Sequence, residues 1–300
     1  MKSFHNPVLL NESIEGLNIN ENGIYVDATF GGGGHSLAIV NKIKLGKVIA
    51  FDQDIDAISR NEINDKRLTI LNQNFKYLKN GLDSLGIKKI DGLIADLGIS
   101  SYQLDTDHRG FSFNANSDLD MRMNQKSSVC AKQIINNYKA EELNKLFSEY
   151  ADFKNPKNIT SHILERRIIK EIKTVKEFTE ILSKNLRGPK KNQLLARAYQ
   201  AIRIEVNKEI DCLKELLLCG LKLLKPKGRI VVISYHSVED RIVKNFFRYG
   251  GFNSFPQSGI YKNEPSPFSV ITKKPIKACL KEIEINNRAR SARLRIAQLK

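Results

Sequence analysis

The chain has 300 residues, of which 41% are hydrophobic, so it can fold as one large domain or two modest ones around a true core. Its formal net charge is +16, and residues 221–300 alone carry +12. A positive charge of this size favours a polyanionic partner, with nucleic acid first and an anionic membrane second. A lysine-rich surface that only aids solubility is the alternative. The apolar runs are too short or interrupted to predict a signal peptide or a membrane span, and the four scattered cysteines predict no disulfide framework. We therefore expect a soluble, cytoplasmic protein.

Four short apolar runs within the first hundred residues have the character of buried strands. Each contains four to six apolar residues without alternation and is bounded by turn-forming residues, as in a parallel sheet covered on both faces. The runs occupy residues 23–30, 47–54, 67–75 and 90–98. Predicted helices lie between them, at residues 35–43, 55–64 and 78–85. This alternation predicts a doubly wound α/β sheet.

The pattern changes between residues 105 and 195, where apolar residues recur at helical spacing and no strand-like run occurs. A helix is predicted over residues 193–224, then a strand over 228–237 and a helix over 238–248. Two more strands are predicted in the tail, within residues 269–279 and 288–299. We therefore predict a discontinuous α/β domain, residues 1–104 and 196–300, interrupted by an all-helical insert over residues 105–195.

Four consecutive glycines, Gly31 to Gly34, follow the first predicted strand and open a helix. Glycines there allow a sharp turn and a close approach of the main chain to a ligand, and the helix start offers free N–H groups. The dinucleotide fingerprint GxGxxG fails in either frame, because Ser36 or Leu37 stands where the third glycine belongs. With Asp27 before it, the turn resembles the loop that binds S-adenosylmethionine (SAM); a tight turn without a ligand is the alternative.

Polar or aromatic side chains end the next three strands, at the edge where open α/β sheets bind ligands. Asp52 ends the second strand and can accept hydrogen bonds from both ribose hydroxyls of an adenosine, although Asp54 competes for this role and either acid can be a helix cap. Phe75 ends the third strand, where its ring can flank adenine or simply join the core. Asp96 ends the fourth strand and can accept a hydrogen bond from a methyl donor or a target amine.

The cysteines bear on which atom of a substrate would be methylated. Methylation of a pyrimidine carbon needs a cysteine thiolate as a covalent nucleophile. Apart from Cys279, the last residue of the first predicted tail strand region, no cysteine in this sequence stands beside a proline or at a predicted strand end. Transfer to nitrogen or oxygen mainly needs positioning and electrostatic fit, which the strand-end acids can supply. We therefore expect nitrogen or oxygen as the acceptor.

Nine sequence blocks, spread over nearly the whole chain, carry a specific resemblance. They are HNPVLLNE (5–12), DATFGGGGHS (27–36), FDQD (51–54), DLGISSYQLD (96–105), RGFSF (109–113), LDMRM (119–123), AYQAIRIEVNKE (198–209), ISYHSVEDRIVK (233–244) and RARSARLR (288–295). Through them the chain resembles the bacterial MraW-type family of 16S ribosomal RNA (rRNA) cytosine-N4 methyltransferases. The resemblance implies the class I SAM-methyltransferase fold, SAM as cofactor and a helical insert that recognises the substrate.

The resemblance also implies a set of contacts and a target. The implied SAM contacts are Gly33, Gly34, His35, Asp52, Phe75, Asp96 and Gln103. The implied target is the N4 amine of one cytidine, number 1402, in the 16S rRNA of assembled small-subunit precursors. The sequence departs from the family pattern at Tyr102, Tyr235 and Asn287, where Pro, Phe and Pro are frequent. None of the three is an implied SAM contact.

Residues for the substrate are predicted from their charge and position. Tyr235 and His236 end the fifth predicted strand, near the expected place of an extruded cytosine. Tyr235 can stack on this base. His236 can either lie beside the base or be a hydrogen-bonded structural histidine. The arginines that can contact phosphates, or else form surface ion pairs, are Arg109, Arg122, Arg288, Arg290 and Arg293. We assign no catalytic base and no metal ligand.

Two other classes of protein stay open on the sequence. A nicotinamide-dependent dehydrogenase can share the fold class, but the failed glycine fingerprint and the lack of a catalytic His/Lys constellation oppose it. An inert RNA-binding protein is opposed by the intact glycine turn, Asp52 and Asp96. We predict a SAM-dependent methyltransferase acting on the N4 amine of a cytidine in 16S rRNA, with another RNA amine as the alternative target.

Overall fold

The computed structural model describes residues 7–185, 188–252 and 266–300, and it divides into two compact units. The first unit comprises Met1–Gly98 and Ile210–Lys300, and the second comprises Ile99–Glu209. The predicted insert, residues 105–195, falls inside the second unit, which extends further at both ends. His5 and Asn6 of the first sequence block lie outside the described residues, as do positions 186 and 187 of the predicted insert.

Helices account for most of the regular structure in both units. In chain order they are α1 (Leu10–Leu17), α2 (Gly34–Val40), α3 (Ile55–Ser59), α4 (Leu78–Ser84), α5 (Ser101–Asp105), α6 (Ala131–Asn137), α7 (Ala140–Ala151), α8 (Lys157–Ile169), α9 (Val175–Asn185), α10 (Lys191–Asn207), α11 (Glu209–Leu223), α12 (Ser237–Tyr249) and α13 (Leu280–Ile285). Within the described ranges, none of them is long and apolar enough to cross a bilayer.

Seven strands of the first unit form one mixed sheet. They are β1 (Ile24–Asp27), β2 (Lys47–Asp52), β3 (Leu68–Asn72), β4 (Ile90–Asp96), β5 (Leu224–Ser234), β6 (Phe268–Val270) and β7 (Arg293–Leu299). Their order is β3-β2-β1-β4-β5-β7-β6, with β1 to β5 parallel and β7 antiparallel to both of its neighbours. The predicted doubly wound, mostly parallel sheet is confirmed. The strand order reverses between β1 and β4, so ligands are expected beyond the carboxyl ends of these strands.

Helices cover both faces of this sheet, which explains why its central strands have continuous apolar runs. On one face α1 packs closely, because a side chain at Gly16 would collide with Ile296 and approach Val231. On the other face α11 also packs closely, since a Cβ at Gly220 would lie 3.1 Å from Leu93 and 3.2 Å from Ile230. Glycine at these positions permits the close approach of helix to sheet.

The second unit has a hydrophobic core of its own. Phe147, Phe178 and Tyr199 are buried in it, and Phe178 and Tyr199 lie 5.3 Å apart between ring centroids. Over its described residues the regular structure consists of α-helices, one 3-10 helix (Asp107–Arg109) and one isolated bridge between Asp118 and Thr174. The absence of regular strands in this part of the chain follows from the helical spacing of its apolar residues.

The structure corrects several predicted elements. The single helix over residues 193–224 is two helices, because Lys208 adopts a left-handed conformation (φ 51°) that ends α10 before α11 begins. The predicted helix over residues 55–64 is shorter, since α3 ends at Ser59. The predicted strand over 228–237 begins earlier, because Lys225 to Gly228 belong to β5. The pairing of β5 with β4 is irregular at this segment, where Lys227 has a positive φ of 65°.

The tail differs most from the prediction. The strand observed there, β6 (Phe268–Val270), overlaps the predicted region 269–279 only at Ser269 and Val270, and α13 follows it. The second strand begins at Arg293 rather than 288, because Asn287–Ser291 form a 3-10 helix that the Asn286 side chain caps. The α1 helix was not predicted either. Short helices of five to eight residues repeat an apolar pattern too few times to be distinguished from strands or loops.

Candidate active site

The glycine turn lies at the carboxyl end of β1. Gly33 has a φ of 77°, and a Cβ there would lie 2.9 Å from the Phe30 ring. A Cβ at Gly34 would overlap the ring of Pro7. The fold itself therefore requires glycine at these two positions. Gly32 is different, since its φ is not in the left-handed region and no described atom lies within 4 Å of its Cβ position. The open space over Gly32 suits a ligand that approaches the main chain.

Asp27, the acid before the glycines, serves to brace the turn. Its buried carboxylate accepts hydrogen bonds from Ser36 Oγ (2.6 Å) and from the Thr29 main-chain N–H (3.1 Å). Burial raises the pKa of Asp27, and these hydrogen bonds act in the opposite direction. Asp27 thus ties the end of β1 to the start of α2, and its place before the glycines reflects the geometry of the turn.

Asp52 faces the glycine turn from the end of β2. Its Oδ2 accepts a hydrogen bond from the Gly31 N–H (2.8 Å), and its Oδ1 accepts one from the Asp54 N–H (2.8 Å). Each carboxylate oxygen has a further lone pair available. Burial raises the pKa of Asp52 to about 6, although both hydrogen bonds lower it. Asp54 instead caps α3 by accepting from the Asp56 N–H (3.1 Å), so the geometry favours Asp52 for the ribose.

Phe75 does not end the third strand as predicted. The strand stops at Asn72, and Phe75 begins a 3-10 helix over Phe75–Tyr77, where its side chain is half-buried. Asn74 caps this turn through Lys76 N–H (2.8 Å) and donates to Gln53 Oε1 (2.7 Å). These bonds hold the turn beside the end of β2, next to Asp52. Contact of Phe75 with adenine stays a prediction.

Asp96 ends β4 within a small polar cluster. Its main-chain N–H donates to Thr29 Oγ1 (2.7 Å), and its Oδ1 accepts from the Tyr235 hydroxyl (2.7 Å). Its Oδ2 lies 4.0 Å from His35 Nδ1. Burial raises the pKa of Asp96 to about 6, opposed by His35 and by the Tyr235 hydroxyl. The sequence did not predict Thr29, although it lies within the DATFGGGGHS block, between Asp27 and the glycines.

His35 is buried in the first turn of α2, directly after the glycines. Burial lowers its pKa, while nearby Asp96 and a hydrogen bond with the Val8 main chain raise it. Its Nε2 has no hydrogen-bond partner among the described residues. A buried polar atom of this kind needs a partner. Together with the open space at Gly32 and the two strand-end carboxylates, this atom shows that the edge fits a polar ligand such as SAM.

The fifth strand ends earlier than predicted. It stops at Ser234, so Tyr235 lies between β5 and α12, and His236 is the N-cap of α12. The His236 ring nitrogen Nδ1 accepts from the Glu239 N–H (3.4 Å), while Glu239 Oε2 accepts from the Tyr235 N–H (3.0 Å). Glu239, for which the sequence pattern gave no signal, also places Oε1 3.1 Å from His236 Nε2. His236 thus has a structural role at the helix start.

The arginines are held by the protein to different degrees. Arg109 is buried, and its guanidinium donates to the main-chain oxygens of Arg122 (3.0 Å) and Met123 (3.1 Å). Arg122 binds both carboxylate oxygens of Asp120 (2.9 and 2.7 Å). These bonds argue against the predicted phosphate contacts of both arginines. In the first unit Arg293 pairs with Asp240 (3.1 Å), whereas Arg290 is exposed.

Gln103 belongs to the second unit, where it stabilises the start of α5. Its side chain accepts from the Ser100 N–H (3.1 Å), and its own N–H donates to Ser100 Oγ (3.2 Å). This reciprocal pair is a capping box. The predicted contact of Gln103 with SAM stays a prediction.

Comparison with known proteins gives a family. The model of the MraW methylase family matches residues 2–300. The chain belongs to the MraW methylase family. It is 48% identical over 296 residues to the ribosomal RNA small subunit methyltransferase H of Flavobacterium johnsoniae, covering 98% of this chain and 97% of that protein. The protein of the same name from Karelsulcia muelleri is 46% identical, with full coverage of both chains.

Solved structures of methylases are also similar to this chain. An rRNA methylase from Streptococcus thermophilus has 11% identity and a TM-score of 0.41, covering 96% of this chain and 94% of that one. A methyltransferase homolog protein from Pyrococcus horikoshii has 10% identity and a TM-score of 0.40, with 96% and 65% covered. Membership of the methylase family confirms the predicted methyltransferase class and its cofactor SAM. The dehydrogenase alternative is therefore wrong.

Proposed function

We propose that this methylase transfers the methyl group of SAM to the N4 amine of one cytidine, number 1402, in 16S rRNA of the small ribosomal subunit. The observation that carries the proposal is the full-length similarity to relatives named ribosomal RNA small subunit methyltransferase H. A net charge of +16 supports a polyanionic partner. Such a substrate would place the protein in the cytoplasm.

The proposed cofactor site consists of the glycine turn and the acids at the strand ends. Gly33 and Gly34 shape the turn, and the Asp52 carboxylate accepts hydrogen bonds from the ribose hydroxyls with its remaining lone pairs. The Nε2 atom of His35 supplies a further polar partner. The family resemblance adds Phe75, Asp96 and Gln103 to the predicted contacts. When bound, SAM supplies a methyl group on a sulfonium that is already a strong leaving group.

The proposed acceptor side centres on Asp96. An exocyclic amine is a weak nucleophile because its lone pair is delocalised into the ring. A carboxylate that accepts one of its N–H groups orients the amine and favours a localised lone pair. The methylated product can release its extra proton to water, so no side chain is required as a base. The predicted role of the helical insert, residues 105–195, is to recognise the RNA.

Methyl transfer to undermethylated ribosomal subunits tests this function. Small subunits from a strain that lacks the protein are incubated with the purified protein and isotopically labelled SAM. Nuclease digestion and mass spectrometry then locate the label. We expect one N4-methylcytidine in the 16S rRNA, restored by the wild type and strongly reduced with Asp96→Asn. Parallel reactions on naked 16S rRNA identify the preferred form of the substrate. Label in another nucleotide, or none in either RNA form, contradicts the proposal.

A further inference from the structure

The Asp96 carboxylate is held at only one of its two oxygens. The Tyr235 hydroxyl donates to Oδ1 at 2.7 Å. No hydrogen bond to Oδ2 is formed by any residue of the described ranges, and His35 Nδ1 lies 4.0 Å from it. The hydrogen bond from Tyr235 therefore fixes the rotation of the carboxylate and leaves Oδ2 with its accepting capacity unused.

Tyr235 is itself fixed in place. Its main-chain N–H donates to Glu239 Oε2 (3.0 Å), and its ring lies 3.7 Å from the Cβ position of Gly98. Burial, and then the negative charge of Asp96, raise the pKa of Tyr235 well above its ordinary value. The phenol therefore keeps its proton throughout the physiological range and donates to the ionised Asp96 carboxylate.

We propose that Tyr235 is a positioning residue that acts through Asp96, holding Oδ1 so that Oδ2 accepts an N–H of the amine that is methylated. The proposal rests on the proposed function, because it requires an amine as the acceptor. It assigns the hydroxyl of Tyr235 a role distinct from the base stacking predicted from the sequence. Stacking needs only the ring, which phenylalanine also has, whereas positioning needs the hydroxyl.

The charges around this pair set the expected pH response. His35 on α2 favours the ionised form of Asp96, whereas Asp27 on β1 and Glu239 on α12 oppose it. Glu239, together with Glu282 on α13, also faces the Tyr235 phenol. Because the hydroxyl stabilises the Asp96 carboxylate, its removal raises the pKa of Asp96. The acidic limb of the rate profile then moves to higher pH.

The first test compares Tyr235→Phe with Tyr249→Phe, which removes a hydroxyl at the far end of α12. For Tyr235→Phe we expect kcat to fall roughly 10-fold, the KM for SAM to stay unchanged, and the acidic limb to shift upward. Tyr249→Phe should match the wild type in all three. In an Asp96→Asn background, Tyr235→Phe should have little further effect, since the two residues act together. Thermal melts confirm that each variant is folded.

The second test needs no turnover. Carbon-13 NMR follows the titration of the Asp96 carboxyl in cofactor-free wild type and in Tyr235→Phe. We expect a higher pKa in the variant. An unchanged Asp96 titration, or a Tyr235→Phe enzyme with the kcat and pH profile of the wild type, overturns the proposal even when the wild type methylates the predicted cytidine. Absence of methyl transfer by the wild type instead defeats the proposed function, so the two failures are distinguishable.

Discussion

The acids at the sheet edge form fewer hydrogen bonds within the protein than the arginines of the helical unit do. Asp52 and Asp96 use some of their lone pairs within the protein, yet both are sufficiently buried for their pKa values to rise to about 6. Arg109 and Arg122 instead donate to main-chain oxygens and to Asp120. We infer that the two acids, which keep bonding capacity at the sheet edge, face a ligand, whereas the bonds of the two arginines stabilise the fold.

The largest expected effect is on the cofactor side of this comparison. Asp52→Ala should weaken SAM binding about 1,000-fold, because two hydrogen bonds to an ionised group are lost at about 2 kcal/mol each. Asp54→Asn is the matched control, since asparagine can still cap α3 and should keep the affinity of the wild type. Titration calorimetry measures both. Unchanged affinity in Asp52→Ala, or a loss confined to Asp54→Asn, would reverse the assignment.

The next prediction concerns a bonded arginine. Arg109→Ala should lower the free energy of unfolding by about 3 kcal/mol, because it leaves the main-chain oxygens of Arg122 and Met123 buried without their donor. Chemical denaturation measures the change. The RNA affinity of the folded variant should equal that of the wild type under stabilising conditions. A stable variant with weakened RNA binding would show that Arg109 contacts phosphate after all.

A smaller effect follows from the half-buried acid at the end of β4. Because burial raises the Asp96 pKa from 3.8 to about 6, the folded state holds this proton more tightly than the unfolded state does. The resulting stability is present below pH 4 and is lost as the pH rises through 6. Asp96→Asn removes this dependence, so it should be more stable than the wild type by on the order of 2 kcal/mol at pH 7. Thermal melts at pH 4 and 7 check this, and equal differences at both values would contradict it.

The sequence predicted the parts of the fold that rest on long patterns. Buried runs of apolar residues predicted the sheet, and the acids Asp52 and Asp96 at the strand ends followed from the runs themselves. It could not predict that the Tyr235 hydroxyl would reach Asp96, since this contact joins residues 139 positions apart. The brace by Asp27 is local, but it depends on the exact shape of the turn that brings Ser36 to its carboxylate. The displaced Phe75 shows a further limit, because a polar residue such as Asn74 can end a strand by capping a turn.

The pH dependence of cofactor binding gives a further test of the sheet edge. Asp52 has a pKa of about 6 and accepts hydroxyl hydrogen bonds best as a carboxylate. The affinity for SAM should therefore be constant above pH 7 and fall about tenfold for each pH unit below 6. Calorimetry between pH 5 and 8 measures the profile. Asp52→Asn, which cannot ionise, should have a flatter one, and an identical slope in the variant would assign the dependence to another group.

The smallest effect separates two arginines that lie close together in the C-terminal sequence. Arg290 is exposed, whereas Arg293 pairs with Asp240, which also binds the buried Arg295. If exposure decides which arginines meet RNA, Arg290→Gln should weaken RNA binding a few-fold and reduce its salt dependence by about one counterion. Arg293→Gln should instead mainly lower stability, because Asp240 loses a partner. Binding titrations over a range of salt concentrations distinguish the two. A larger loss of RNA affinity in Arg293→Gln would mean that this ion pair opens on the substrate, and that bonding within the free protein is a poor guide to which arginines bind RNA.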